Sequence, residues 1–95
     1  MFEKRYDSRN EKRLKNFLID VRTSSEYQRG HVANSINIPL SHIRDITKIV
    51  PDKDMFISVC CKSGMRSAQA RDILVSMGYR NVTDMGGICG HHLVQ

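Results

Sequence analysis

Tryptophan is absent from this 95-residue chain, and phenylalanine and tyrosine occur three times each. A core without large rings must rest on Ile, Leu, Val and Met. A domain this small buries roughly 60–65% of the surface its unfolded chain exposes, so residues 1–95 make one domain and not two. Long apolar runs are missing as well. No stretch approaches the roughly 20 apolar residues of a membrane span. The opening segment MFEKRYDSRNEKRLKN is charged throughout and lacks an apolar centre, so it does not read as a secretory signal. Cysteine is scarce, at Cys60, Cys61 and Cys89 only. The number is odd and neighbouring cysteines rarely pair with each other. No disulfide framework is therefore expected, and a reducing, cytoplasmic setting fits.

Acidic residues are the minority, and the formal net charge is +5. Such an excess favours anionic partners. Much of it lies in the first fifteen residues, where Lys4, Arg5, Arg9, Lys12, Arg13 and Lys15 outnumber Glu3, Asp7 and Glu11. No regular aromatic interleaving accompanies these charges. They read as a solvated polar segment, loosely packed, rather than a nucleic-acid patch. Neither nucleic acid nor a membrane is expected as a partner.

Strand and helix signals alternate along the chain. Phe17–Val21 is a short continuous apolar run, as in a strand buried on both faces. Thr23 to Glu26 has capping-box spacing, so a short helix should follow, ended by Gly30. Ser35–Ile38 alternates and stops at Pro39, which predicts a second strand. Ser41 opens a helix expected to run to about Val50, with Ile43, Ile46, Ile49 and Val50 on one side. Met55–Cys60 is a third strand. A helix is expected over Ser67–Met77, with Ala70, Ile73, Leu74 and Met77 as its apolar stripe and Gly78 as its stop. Asn81–Met85 is a fourth strand, followed by the Gly86-Gly87 turn. The fold class is α/β with a mostly parallel sheet.

The most informative stretch is the loop between the third strand and its helix, where four residues lie between a Cys and an Arg: Cys61, Lys62, Ser63, Gly64, Met65, Arg66. In parallel α/β folds ligands gather at the carboxyl ends of strands. Gly64 lets the loop curl with its N–H groups inward, and the following helix aims its positive end at the same point. A free thiol titrates near about 8.5, so only a few per cent is ionised at neutral pH. Lowering it to about 6.5 requires roughly 2.7 kcal/mol of preference for the thiolate. A helix terminus supplies about 0.3–1 kcal/mol, and up to about 2 when partly buried. Loop N–H donors, with Lys62 nearby, must supply the remainder.

At this loop the sequence resembles the rhodanese-like sulfurtransferases. The matching pieces run in the family's order: Asp20-Val21-Arg22, Glu26-Tyr27 with Gly30-His31, and Ile36-Asn37-Ile38-Pro39. Cys61 to Ser67, Gly78-Tyr79 with Asn81-Val82, and Gly86-Gly87-Ile88 complete them. The resemblance implies a central, mostly parallel five-stranded sheet flanked by helices, with no cofactor and no metal. It implies that Cys61 is the catalytic nucleophile and that Lys62, Ser63, Gly64, Met65 and Arg66 form the substrate-binding loop. Cys61 would take sulfane sulfur from an anionic donor, thiosulfate or a persulfide. It would then pass that sulfur to cyanide or a thiol acceptor, with a sulfur-relay protein as a further partner. Arg66 has two roles open to it, binding the donor or bracing the loop against a carboxylate. The family usually has a Trp shortly after the Gly-Gly-Ile turn, where Cys89, Gly90, His91 and His92 stand here. Its usual Pro-Gly before the second strand is Ala33-Asn34.

Three other readings compete. Counted from Cys60, the loop has the Cys-to-Arg spacing of the protein tyrosine phosphatases, so a Cys60-dependent phosphatase or arsenate reductase is an alternative. Cys60 continues an apolar strand and follows Val59, which favours Cys61 as the nucleophile. A non-catalytic sulfur-relay or protein-docking module is the second. The third is zinc bound by Cys89, His91 and His92 with Cys60. It fits no structural zinc pattern, and Cys89 is expected to pack near the last turn. His31 is expected as a turn residue bonded to backbone, and His42 as a solvated one. Asp20 and Arg22 sit at the same strand edge as Cys61 and either border the pocket or serve structure. Met65 lies at the loop's mouth or packs inward.

Overall fold

A computed structural model describes residues 16–90. The polar segment 1–15 and the two histidines His91 and His92 lie outside the described residues. Four strands form one parallel sheet: β1 (Asn16–Asp20), β2 (Ile36–Asn37), β3 (Phe56–Cys60) and β4 (Asn81–Asp84), in the order β2-β1-β3-β4. The five strands implied by the resemblance are therefore four among the described residues, the four that the sequence pattern marks directly. Helix α1 (Ser24–Gln28) follows β1, and helix α2 (Met65–Ser76) follows β3. The order reverses between β1 and β3. A parallel sheet opens a crevice at the carboxyl ends of such strands, and Cys61 follows one of them.

Strand pleating sorts the side chains. Ile19 is the register partner of Val59, and Asp20 of Cys60. Successive residues alternate faces, so Ile19, Val21, Ile57, Val59 and Cys61 enter the main apolar cluster, joined by Ile43, Ile46, Ala70, Leu74 and Tyr79. Cys60 is equally buried but lies outside that cluster, on the opposite face with Asp20.

Two local expectations change. The segment after Pro39 winds as a 3-10 helix over Leu40–Lys48, with non-helical angles at His42, rather than as an α-helix to Val50. The spacing explains this. Ile43, Ile46 and Ile49 recur every third residue, and a 3-10 helix stacks such residues in one row. Ile43 and Ile46 are buried, while Ile49, past the end, is exposed. His42 is exposed, as expected. Helix α2 starts at Met65, two residues earlier than the apolar stripe alone indicates, so Met65 and Arg66 belong to its first turn. It ends as the sequence predicts. Gly78 has φ 101, its N–H donates to Val75 O, and Tyr79 N–H reaches back to Leu74 O. That pair of bonds is a Schellman stop. Where the related family carries Pro-Gly, Asn34 takes φ 68, the left-handed conformation that asparagine tolerates better than most residues.

A buried ion pair fixes the exit of β1, and Asn37 ties that exit to β2. The Asp20 carboxylate accepts from Arg22 Nε at 3.0 Å and from Arg22 Nη2 at 2.7 Å, and the same Nη2 donates to Gly30 O at 2.9 Å. Asn37 Nδ2 donates to the carbonyls of Asp20 and Arg22, both at 2.9 Å. Asp20 and Arg22 thus hold the chain's exit from β1 in place. Removing one charge of a buried pair leaves the other uncompensated, at a cost of about 3–5 kcal/mol. Asp20→Ala is therefore expected to lower the urea-unfolding free energy by that amount. The double change Asp20→Leu, Arg22→Met should lose much less.

Candidate active site

The chain leaves β3 at Cys60, turns through residues 61–64 and enters α2 at Met65. Gly64 is the residue just outside the helix and has φ 95, a left-handed conformation that a side chain would strain. This turn folds the loop back over its own start. The Gly64 N–H donates to Cys61 Sγ at 2.9 Å, and the Ser67 N–H donates to the same sulfur at 3.3 Å. Ser67 is the third residue of α2. Its N–H is one of the orphan donors that a Ser, Thr or Asp side chain at the cap position usually satisfies. Gly64 has no side chain to do this, and the sulfur of Cys61 takes the role.

Opposing forces act on this thiol. Cys61 is fully buried, and burial pushes its pKa up by penalising the charged form. Against that stand the hydroxyl of Ser67 and the backbone N–H groups of Ser67, Gly64 and Ser63, all of which favour the thiolate. The donors win, and the pKa lies below the ordinary thiol value. The Ser67 hydroxyl also reaches Gly64 O at 3.1 Å. It has one proton to give, so it serves the sulfur or the carbonyl.

The loop is held from two sides. From behind, the Cys61 N–H donates to Gly86 O at 2.9 Å. The following glycine lies so close that a Cβ on Gly87 would stand 2.7 Å from Lys62 O. From the other side, Arg66 Nη1 and Nη2 donate to the two carboxylate oxygens of Glu26, at 2.7 and 3.1 Å. Glu26 also closes the capping box of α1: Thr23 N–H donates to Oε1 at 2.9 Å and Glu26 N–H donates to Thr23 Oγ1 at 3.3 Å. The Arg66 side-chain bond, followed by those of Thr23, outweighs partial burial and holds the Glu26 carboxyl at about 2. Arg66 therefore braces the loop against a carboxylate. It also lies within electrostatic reach of Cys61, whose thiolate is among the charges that hold the guanidinium protonated.

The residues 61–66 singled out in the sequence thus lie together around one sulfur. Ser63 and Gly64 contribute backbone N–H groups. Lys62 is exposed, with its carbonyl against Gly87. Met65 is 70% exposed and points outward, which answers the question its position left open. Sequence reasoning missed three supports. Ser67 was within the matched motif and assigned no role. Glu26 stands in the sequence as a capping residue and as part of a matched piece, with nothing to mark it as the carboxylate partner of Arg66. The Gly86-Gly87 pair was read as a turn, with no signal that it abuts the loop. His31 behaves as expected, with Nδ1 2.8 Å from Tyr27 O and its ring stacked on Tyr27.

One expectation is overturned. Cys60 and Cys89 are paired, with their Cα atoms 5.4 Å apart. Only Cys61 is free among the described cysteines. Counting an odd total and discounting the adjacent pair overlooked that Cys60 and Cys61 point to opposite faces. Cys60 is then available to a distant thiol. While the pair is joined, the Cys60 sulfur is not available to the phosphatase alternative. Asp20, Cys60 and Cys89 bring ligand atoms within 4.8 Å of one another, but the Asp20 carboxylate is already held by Arg22.

Two outcomes follow for the support of the loop. Glu26→Gln should destabilise the protein by about 1–2 kcal/mol, since it removes a charge-assisted pair. The lowered Glu26 pKa sets the sign with pH. The contribution is complete above the ordinary glutamate value near about 4.3 and is lost as pH falls toward 2. The stability gap between wild type and Glu26→Gln should therefore be constant above that value and close below it, as read by urea unfolding across pH. Gly87→Ala should move the loop rather than merely tighten it, because the new methyl meets a backbone oxygen. Cys61 alkylation should change several-fold in this variant.

With this geometry in view, comparison with known proteins is specific. The model of the rhodanese-like domain matches residues 2–89. The chain is 45% identical over 71 residues to thiosulfate sulfurtransferase PspE of Escherichia coli (strain K12), covering 74% of this chain and 68% of that protein. It is 38% identical over 71 residues to the adenylyltransferase and sulfurtransferase uba4 of Ogataea parapolymorpha, covering 75% of this chain but 18% of that larger protein. Among solved structures, a rhodanese with anions from E. coli superposes with a TM-score of 0.74 at 43% identity, covering 77% of this chain and 87% of the other. Among the described residues, no helix is long and apolar enough to cross a membrane. A parallel α/β sheet, a cysteine loop at its carboxyl edge and these matches together place the chain in the family of rhodanese-like domains.

Proposed function

We propose that Cys61 is the atom through which this rhodanese-type sulfurtransferase works, by a persulfide. The Cys61 thiolate attacks the sulfane sulfur of thiosulfate. A bond forms between the two sulfurs, and the bond from sulfane sulfur to the sulfonate group breaks with its electron pair leaving on sulfite. An acceptor, cyanide or a thiolate, then attacks the outer sulfur of the persulfide, and Cys61 departs as the thiolate it began as. Splitting one transfer into two displacements is covalent catalysis. The donors around Cys61 Sγ favour its thiolate, so the first step asks less of a separate base.

The observation that carries this reading is the convergence of the Gly64 and Ser67 N–H groups on the one free sulfur. Donors fixed toward a sulfur anion also suit the negative outer sulfur of a persulfide, and they need no reorganisation when it forms. Arg66 and Lys62 add positive charge on the side from which an anionic donor would arrive. Cys61 is buried, so groups around the loop must give way for a donor to reach it. The likeness to a domain of a larger adenylyltransferase and sulfurtransferase makes a sulfur-relay protein a suitable donor or acceptor.

Intact mass after incubation with thiosulfate tests the assignment. Wild type and Cys60→Ser should each gain one sulfur atom, and Cys61→Ser none. Serine is itself a good cap for the first turn of a helix, so Cys61→Ser should remain folded. Loss of sulfur loading would then reflect chemistry. A sulfur gained by Cys61→Ser would remove Cys61 from the mechanism.

A further inference from the structure

The paired sulfurs of Cys60 and Cys89 stand outside the chemistry given to Cys61. Cys60 and Cys89 are separated by 29 residues, both are fully buried, and their Cα atoms lie 5.4 Å apart. A disulfide spans Cα separations of about 4.4–6.8 Å, so both backbones are already placed for one. Cys89 belongs to the 3-10 turn Gly86–Gly90. That turn is the support behind the cysteine loop, giving the Gly86 carbonyl to the Cys61 N–H and laying Gly87 against Lys62 O. Cys60 is the residue immediately before Cys61 and the last of β3.

We propose that the Cys60–Cys89 pair is a reversible redox modification site, opening to two thiols and closing again to the disulfide that fastens the 86–90 turn to the end of β3 behind the Cys61 loop. The oxidant is a low-molecular-weight disulfide. One protein thiolate attacks it, forming a mixed disulfide and releasing one small thiol. The second protein thiolate then attacks the protein sulfur of that mixed disulfide. The bond between Cys60 and Cys89 forms, and the second small thiol leaves. The two protein thiols lose two electrons and two protons in all, and the small disulfide gains them. Both sulfurs are buried, so exchange in either direction requires the turn to lift from the sheet. Asp20 lies on the same face, but its carboxylate is held by Arg22.

The crosslink ties down the element that supports the loop, so the state of this pair bears on the reactivity of Cys61. The crosslink itself is independent of the sulfur-transfer reading, and its test uses no sulfur donor. In the full chain carrying Cys61→Ser, only Cys60 and Cys89 remain. Equilibration with excess oxidised glutathione, alkylation with iodoacetamide under denaturing conditions and intact mass should give a monomer lighter by two hydrogens with no alkylated thiol. Dithiothreitol should restore two alkylatable thiols. The oxidised form should melt at least about 8 °C above the reduced form, as expected for a typical disulfide in a domain of this size. Should Cys61→Ser not fold, wild type gives the same reading, with one alkylated thiol when oxidised and three when reduced. Two alkylatable thiols persisting in Cys61→Ser, or a stable glutathione adduct in place of the crosslink, would overturn the site. In wild type, native-state alkylation of Cys61 should be several-fold slower in the oxidised form, a difference that Cys89→Ser abolishes. Equal rates in the two wild-type forms would overturn the fastening.

Discussion

A thiol taken out of water resists ionisation, and a ring of N–H donors reverses that resistance; the site is built around this opposition at Cys61. Burial alone would leave an inert core cysteine, which is the usual fate of the residue type. Exposure alone would leave an ordinary thiol, ionised to a few per cent at neutral pH. Here the sulfur is buried and its pKa still lies below the ordinary value, because Ser67, Gly64 and Ser63 direct their donors at it. The same bonds complete the first turn of α2. The anion and the helix terminus stabilise each other, so reactivity and local structure are coupled through one atom.

That arrangement requires the loop to hold its shape, and segments far apart in the chain hold it. Gly86 and Gly87 press on it from the β4 side, and Glu26 grips Arg66 from the α1 side. Glu26 is in turn fixed by Thr23. The chain reaches Thr23 along a path set by the Asp20–Arg22 pair. The loop therefore rests on the exits of β1, β3 and β4 together. A parallel sheet brings exactly such exits to one edge, which explains why so small a domain can keep a buried anion in place.

Much of this was legible from residue order. Short apolar runs, continuous in Phe17–Val21 and alternating in Ser35–Ile38, located all four strands, and the Thr23 to Glu26 spacing located the cap of α1. Gly78 marked the end of α2, and the cysteine loop stood out by its glycine and arginine. The remainder depends on contacts across the sheet, which no local pattern encodes. Nothing near Arg66 in the sequence points to Glu26, forty residues earlier. Nothing near Gly87 indicates that a backbone oxygen lies against it. The 3-10 winding over Leu40–Lys48 was recoverable in principle, since its isoleucines repeat every third residue, but the same residues also fit an α-helical stripe.

The two adjacent cysteines show how strongly a strand divides its neighbours. Side chains alternate across a sheet, so Cys60 and Cys61 cannot share an environment even though one peptide bond joins them. Cys60 falls on the Asp20 face, where it meets Cys89. Cys61 falls on the apolar-cluster face at the strand's end, where the chain turns back and donors converge. A phosphatase-like reading starting at Cys60 would need the loop to close around a sulfur directed to the other side of the sheet. The choice between the two spacings therefore follows from strand parity. Counting residues from cysteine to arginine cannot decide it, because both counts are satisfied by the same arginine.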